Sequence, residues 1–317
     1  MVEQLSLIVC TRNRLSGFRP TLGMLLELRC RVPWQLIIVD NGSTDGTGEW
    51  VRAMTSSRSG WIDVLSEPSV GVSRAKNRGL SHARGEIIAF TDDDCYPTES
   101  YLNDLLDVFA TPGVDYCGGR VLLHDPTDLP VTIKTSDTPE VFPAHSYIPT
   151  GAIHGANMAF TRRVVQAVGP FDVMFGPGAL TRAAEDSDYL LRASWCGFTG
   201  MYSPKPTVRH HHKRKTQADY VSINRTYDFG RGAYYAKHMC ARRTRHLMAQ
   251  RWWWSVWLRS HEGRRKLLNE VRGATSYLWN ARRRTVAGPD MAPEWLSSSS
   301  DRPDHSATAS SPPENSG

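Results

Sequence analysis

The apolar positions of this chain come in short unbroken runs, and each run stops at a polar cluster. Leu5-Ser6-Leu7-Ile8-Val9-Cys10 stops at Thr11-Arg12-Asn13-Arg14. Trp34-Gln35-Leu36-Ile37-Ile38-Val39 stops at Asp40-Asn41-Gly42-Ser43-Thr44-Asp45-Gly46-Thr47, and Ile87-Ile88-Ala89-Phe90-Thr91 stops at Asp92-Asp93-Asp94. Runs of this length predict strands buried on both faces. Between them lie helix-period stretches. One runs through Leu22, Leu25, Leu26 and Leu28, one through Trp50 and Met54, and one over residues 70–83 with Arg74, Lys76 and Arg78. A weaker strand is expected over residues 61–65. Alternation of strand and helix with short connections predicts an α/β fold around a mostly parallel, doubly wound, Rossmann-like sheet. Ligands of such sheets collect at the carboxyl ends of the strands, which singles out Thr11–Asn13, Asp40 and Asp92–Asp94.

Further along, the pattern predicts a helix over residues 101–109, a strand over 115–123 and a strand over 151–160. A helix is expected from Arg162, and another opens at Glu185-Asp186-Ser187-Asp188. Residues 124–150 are rich in Pro, Thr and Asp with little periodicity, and a loop of that length is usually functional or mobile. After Val208 the character changes. His210-His211-His212 leads into a helical pattern in which Tyr220, Ile223, Tyr227 and Tyr234 share one face. Residues 1–100 hold 11 Lys and Arg against 12 Asp and Glu, whereas residues 205–285 hold 20 against 4. The expected organisation is a catalytic domain over 1–212, a basic helical extension over 213–285 and a disordered Ser/Pro/Asp-rich tail over 286–317.

The basic extension has two readings: a surface for an anionic membrane or acceptor, or a solvated helical face. Trp252-Trp253-Trp254, flanked by Arg251 and Arg259, likewise either meets a membrane interface or packs onto the domain. No apolar stretch approaches the length of a membrane span, and residues 1–10 lack a signal-peptide pattern. Six cysteines without Cys-x-x-Cys spacing read as reduced thiols. A cytoplasmic protein is expected, with a peripheral site at the inner face of the membrane as one option. Nucleic-acid partners are not expected, because the basic region carries no recognised binding motif.

Three adjacent carboxylates at a strand end repel one another, which favours a cation there. Alternate strand residues face one side, so Asp92 and Asp94 can converge while Asp93 points away. Such oxygen ligands suit Mg2+ or Mn2+, ions that bridge substrate phosphates. The same acids could cap the next helix. Asp40 can receive a base or ribose hydrogen bond, or simply shape its Asn-Gly turn. Arg74 and Arg78 share a helix face that could meet a diphosphate. Glu185-Asp186 can supply a general base or cap a helix.

Taken in order, the segments 8–14, 37–47, 71–79, 85–94, 155–160 and 185–188 resemble the motifs of family 2 glycosyltransferases, inverting enzymes with the nucleotide-diphospho-sugar transferase (GT-A) fold. The resemblance implies a nucleotide-diphosphate sugar as donor, Mn2+ or Mg2+ as cofactor, and a hydroxyl-bearing glycan, lipid-linked or small-molecule acceptor. It implies a nucleoside pocket at Thr11, Arg12 and Asp40, and a diphosphate contact from Arg74 or Lys76. Asp92 and Asp94 become metal ligands with Asp93 in support, and His210 completes the shell. Asn157 lies beside the donor sugar, Asp186 is the base, and Glu185 assists acceptor binding. The alternatives are a nucleotidyltransferase on the same sheet, which the loop after the first strand fits poorly, and a non-enzymatic binder using the basic region.

Overall fold

The structure is a computed structural model that describes residues 3–58, 60–257 and 263–287. Among these residues nine strands form one sheet. Strands β1 (Leu5–Thr11), β2 (Trp34–Asp40), β3 (Ile62–Ser66) and β4 (Ile87–Asp92) are parallel in the order β3-β2-β1-β4. Their side chains alternate between two cores, as the pleat requires. Leu5, Leu7 and Val9 enter one core, and Ile8 enters the other with Ile37, Val39, Ile88 and Phe90. Helices α1 (Phe18–Glu27), α2 (Thr47–Thr55) and α3 (Val72–Leu80) connect these strands.

Beyond β4 the sheet becomes mixed. The short strand β5 (Cys95–Pro97) and helix α4 (Tyr101–Phe109) precede β6 (Tyr116–Leu123), β7 (Glu140–Phe142) and β8 (Asn157–Thr161). Strand β8 runs antiparallel to both β4 and β6. Helices α5 (Arg162–Val168) and α6 (Glu185–Trp195) then lead to β9 (Gly200–His210), which is parallel to β6 and antiparallel to β5 and β7. Strand β9 thereby carries His210 directly opposite Cys95, next to the three acids.

Two stretches differ from the pattern expected of them. Residues 151–156 are loop, and the strand starts only at Asn157. Gly151 has φ of 83°, outside strand geometry, and the Gly155 N–H is taken by the Asp186 carboxylate, so neither continues a ladder. The segment 124–150 has structure of its own: Lys134 bridges to Val121, β7 extends the sheet, and Phe142 and Ile148 are buried in the core.

The basic extension is helical as expected: α7 (Gln217–Cys240), α8 (Arg245–Trp257) and α9 (Gly263–Ala287). A Thr216–Asp219 capping box starts α7. These helices build a third core that is shared with the α5–α6 loop and α6 through Met174, Phe175 and Leu191. No helix among the described residues is long and apolar enough to cross a membrane. The tail expected to be disordered lies, from residue 288 onward, outside the described residues.

Helices α7 and α9 cross closely at two glycines. A Cβ on Gly232 would collide with the Glu270 carbonyl oxygen, and one on Gly273 with that of Phe229. Gly23, by contrast, sits on the exposed side of α1 with nothing within 4 Å of an added Cβ. Gly232→Ala should therefore cost about 1–3 kcal/mol through overpacking. Gly23→Ala should be neutral or add up to about 1 kcal/mol. Thermal melts of the two variants followed by circular dichroism check this opposition.

Candidate active site

The carboxyl ends of β1 and β4, the start of α6, the end of β9 and one face of α7 enclose a cavity of about 1010 Å³. Its walls include Arg12, Asp92, Asp93, Asp94, Glu185, Asp186 and His210. The structure thus brings into one space most of the acids and the histidine singled out from sequence, although up to 118 positions separate them along the chain.

The three aspartates are chemically unequal. Asp94 accepts from Arg14 Nη2 at 2.8 Å and lies 3.2 Å from His210 Nε2. Burial pushes its carboxyl up, but the hydrogen bond and charge of His210, together with Arg14, outweigh burial and hold it at about 2. Asp93 turns toward β1, where it accepts from Thr11 Oγ1 at 2.7 Å and pairs with Arg14 Nε at 3.4 Å. Burial nevertheless lifts it to about 7, with Arg14 opposing. Asp92 is raised by burial and by Asp94, against the pull of Lys76. His210 is lowered by burial but raised further by Asp94, so it gains basicity overall.

Asp92, Asp94, Cys95 and His210 offer ligand atoms within 4.8 Å of one another. Two carboxylates and an imidazole form a donor set that suits a hard divalent ion. Cys95 is a poor member of it, because burial keeps its thiol protonated far above the ordinary range. The donor chemistry therefore fits Mn2+ or Mg2+ through the two acids and His210. The neighbouring histidines are occupied elsewhere: His211 lies 3.2 Å from the Tyr96 hydroxyl, and His212 Nε2 is 3.1 Å from the Leu129 carbonyl.

Facing these acids is the start of α6. Asp186 accepts from the Gly155 N–H at 3.1 Å and from the Ser187 N–H at 2.6 Å. Glu185 accepts from Lys76 Nζ at 3.0 Å. Burial would strip Lys76 of its proton, but Glu185, Asp92 and Asp186 raise its pKa instead and keep it charged. Arg182 and Ala184 hold φ of 61° and 73°, left-handed conformations that cost energy in non-glycine residues. This bent approach aims Glu185 and Asp186 into the cavity.

Five sequence-selected residues do not line the cavity, the first being Thr11, which is buried and donates to Asp93. Asp40 is buried, accepts from the Ser43 N–H at 3.1 Å and sits against Gly48, whose missing Cβ leaves it room. Lys76 is buried in its pair with Glu185, and Arg74 lies beside Gly71. Asn157 is fully buried, with its amide accepting from Tyr101 and donating to the Arg120 and Pro206 carbonyls. The cations that do reach the cavity are Arg12, Arg14, Arg182, Arg214 and Arg231. Apart from Arg12, sequence reasoning gave them no role. Arg14 stands in the resembling segment 8–14 and was open to selection, whereas Arg182 and Arg214 carry no local signal.

Helix α7 supplies Ile223, Tyr227 and Tyr234 to the wall, three of the four residues on its expected face. The fourth, Tyr220, is exposed. Asp188 anchors this helix to α6: its carboxylate meets Lys237 at 2.7 Å, His238 at 2.9 Å and Arg192 at 3.0 Å.

Fold and cavity together define the class: a nucleotide-diphospho-sugar transferase (GT-A) fold. A mannosyltransferase from Pyrobaculum calidifontis, solved with GDP-Man and Mn2+, matches 93% of this chain and 78% of its own at TM-score 0.58 and 18% identity. TarS 1-349 of S. aureus, solved with UDP-GlcNAc, matches 78% of this chain and 70% of its own at TM-score 0.57 and 15% identity. At these identities the likeness is one of fold. The chain belongs to glycosyl transferase family 2, whose family model matches residues 6–168. Glycosyltransferase AglE of Haloferax volcanii is 27% identical over 161 residues, covering 50% of this chain and 53% of the relative. The pre-mycofactocin glycosyltransferase of Mycobacterium tuberculosis is 28% identical over 230 residues, 67% of this chain and 43% of the relative. The chain thus spans about half the length of these curated relatives.

The Asp188 cluster yields a pH signature. Burial alone would raise the Asp188 carboxyl, but Lys237, Arg192 and His238 outweigh it and hold it well below the carboxylate range. A depressed acid contributes stability above its ordinary value near 4, and that contribution fades as pH falls toward the depressed value. Asp188→Asn should cost about 3–5 kcal/mol at neutral pH by removing the buried anion of this cluster, leaving Lys237 with Asp172 alone and Arg192 with backbone carbonyls alone. The melting-temperature gap to the native protein should narrow on acidification below about pH 4. A gap independent of pH in scanning calorimetry would refute the ionic account.

Proposed function

We propose that this chain is a metal-dependent, inverting glycosyltransferase that moves a sugar from a nucleotide-diphosphate sugar to an acceptor hydroxyl. The observation that carries the reading is the convergence of Asp92, Asp94 and His210 with Glu185 and Asp186 across one cavity. Membership of family 2 supports it, as do folds shared with proteins solved with GDP-Man and UDP-GlcNAc. Asp92, Asp94 and His210 would hold Mn2+ or Mg2+, which when bound offsets negative charge on the donor diphosphate.

The chain's own groups then divide the work. Arg12, Arg14 and Arg214 make the donor side of the cavity attractive to phosphates, and Asp93 spends its carboxylate on fixing Arg14. Asp40 and Asn41 shape the nucleoside end from behind: Asn41 ties the Glu67 and Ser69 carbonyls and the Gly71 N–H into one turn. Asp186 takes the proton of the acceptor hydroxyl as that oxygen attacks the anomeric carbon. Attack from the face opposite the leaving diphosphate inverts the configuration. Lys76 holds Glu185 oriented beside the base, and the Gly155 N–H fixes the Asp186 rotamer. Tyr227, Ile223 and Tyr234 form the acceptor side, where a ring-bearing acceptor finds apolar area close to Asp186.

Asp186→Asn should retain nucleotide-sugar binding in thermal-shift assays yet lose about 10²–10⁴-fold in transfer rate. Near-native transfer by that variant would remove Asp186 as the base. Asp94→Ala should abolish both transfer and the dependence of donor binding on Mn2+. Transfer that persists in this variant, or in native protein after EDTA treatment, would eliminate the metal from the reaction. A thermal-shift panel of nucleotide sugars with Mn2+ identifies the base and the sugar.

A further inference from the structure

Helix α9 carries a feature that the cavity does not use. Its buried face is Glu270, Gly273 and Tyr277, which meets α7 and the third core. On the opposite side, at helical spacing, stand Leu268, Val271, Leu278 and Trp279, exposed by 51%, 40%, 36% and 60%. An amphipathic helix in a globular protein normally keeps its outward face polar, so an apolar stripe directed away from the core calls for a partner. Arg265, Arg272 and Arg283 flank the stripe and are exposed, and the Arg283 guanidinium sits 4.8 Å from the Trp279 ring centre. On neighbouring α8, Trp252 turns inward to bond Glu270 at 3.1 Å, while Trp253 is 68% exposed.

The charge around this stripe is one-sided. Residues 241–287 hold 12 Lys and Arg against two acids, Glu262 and Glu270. Glu270 is fully buried and is engaged by Arg231 and Trp252, so it offers no negative charge outward. An apolar stripe with a tryptophan, bordered by arginines, matches the boundary between the headgroups and acyl chains of an anionic bilayer. We infer that α9, with the exposed part of α8, is a docking surface for an anionic lipid bilayer that seats the protein peripherally through Leu268, Val271, Leu278 and Trp279. The arginines bring the face to the anionic surface, and the stripe then buries its side chains at the acyl boundary. The surface lies on the side of α9 turned away from α7, and docking there requires no change in the cavity.

The test is flotation of the full chain with vesicles of phosphatidylcholine alone and of phosphatidylcholine mixed with phosphatidylglycerol. The protein should float with the mixed vesicles, stay below with the neutral ones, and detach as salt is raised. Leu268→Glu with Trp279→Glu should lower the partition about tenfold or more. Arg272→Gln with Arg283→Gln should lower it by a similar factor. These positions are exposed, and unchanged melting curves confirm that the variants fold. Absence of flotation, or flotation that neither pair of substitutions alters, overturns the inference. So does a concentration-dependent dimer in light scattering that Trp279→Glu abolishes, because the stripe would then be an interface between copies. Tighter binding to double-stranded DNA than to the mixed vesicles would equally reassign the surface.

Discussion

The site depends on keeping three adjacent carboxylates at the end of a buried strand. Taken out of water together, such groups repel one another and tend to neutralise. The fold meets this cost with charges brought from three other elements: Arg14 after β1, Lys76 from α3 and His210 from β9. Each acid receives a different balance. Asp94 remains ionised down to about 2, whereas Asp93 rises to about 7 and serves mainly to hold Arg14 and Thr11. One run of identical residues is thereby converted into an ionised edge facing the cavity and a brace.

Across the cavity the same logic recurs with a single buried pair. Lys76 and Glu185 are 109 positions apart and meet at 3.0 Å with little solvent. A buried ion pair is weak evidence for stability, but it specifies geometry strongly, since either charge alone would be costly. Here it ties α3 to the start of α6 and so sets the distance between the acids of β4 and Asp186. The Asp188 cluster extends the linkage from α6 to α7. The helices that follow β9 are therefore coupled to α6 by charge as well as by their shared core.

Those helices serve two environments at once. One face of α7 closes the cavity with Ile223, Tyr227 and Tyr234, and the face of α9 turned away from α7 presents apolar side chains among arginines. The tryptophan run shows the same division at the level of single residues. Trp252 packs inward on Glu270, and Trp253 points out. The packing reading therefore holds for Trp252 while Trp253 is left exposed, because neighbouring residues of a helix lie about 100° apart around its axis.

The periodicity of apolar residues was enough to predict the α/β architecture with a mostly parallel sheet and to single out the polar strand ends, because strand burial and strand-end polarity are local properties of the chain; the strand order came only with the structure. It also paired Asp92 with Asp94, which do converge, although β4 ends at Asp92 and it is the turn over residues 93–94, not strand alternation, that brings Asp94 round. The family motifs added Asp186 and His210, and the fold puts both on the same cavity. Only the tertiary structure decided which cations complete the site. Lys76 reads locally like Arg74 and Arg78, yet it is buried against a glutamate from a distant helix, while Arg14, Arg182 and Arg214 reach the cavity from loops without periodicity. Asn157 shows the converse: its motif places it near the donor, but the packing of β6, β8 and β9 consumes both ends of its amide. A sequence reports which face of an element is buried. Which distant side chain stands opposite is set by register and packing, and those exist only once the sheet has formed.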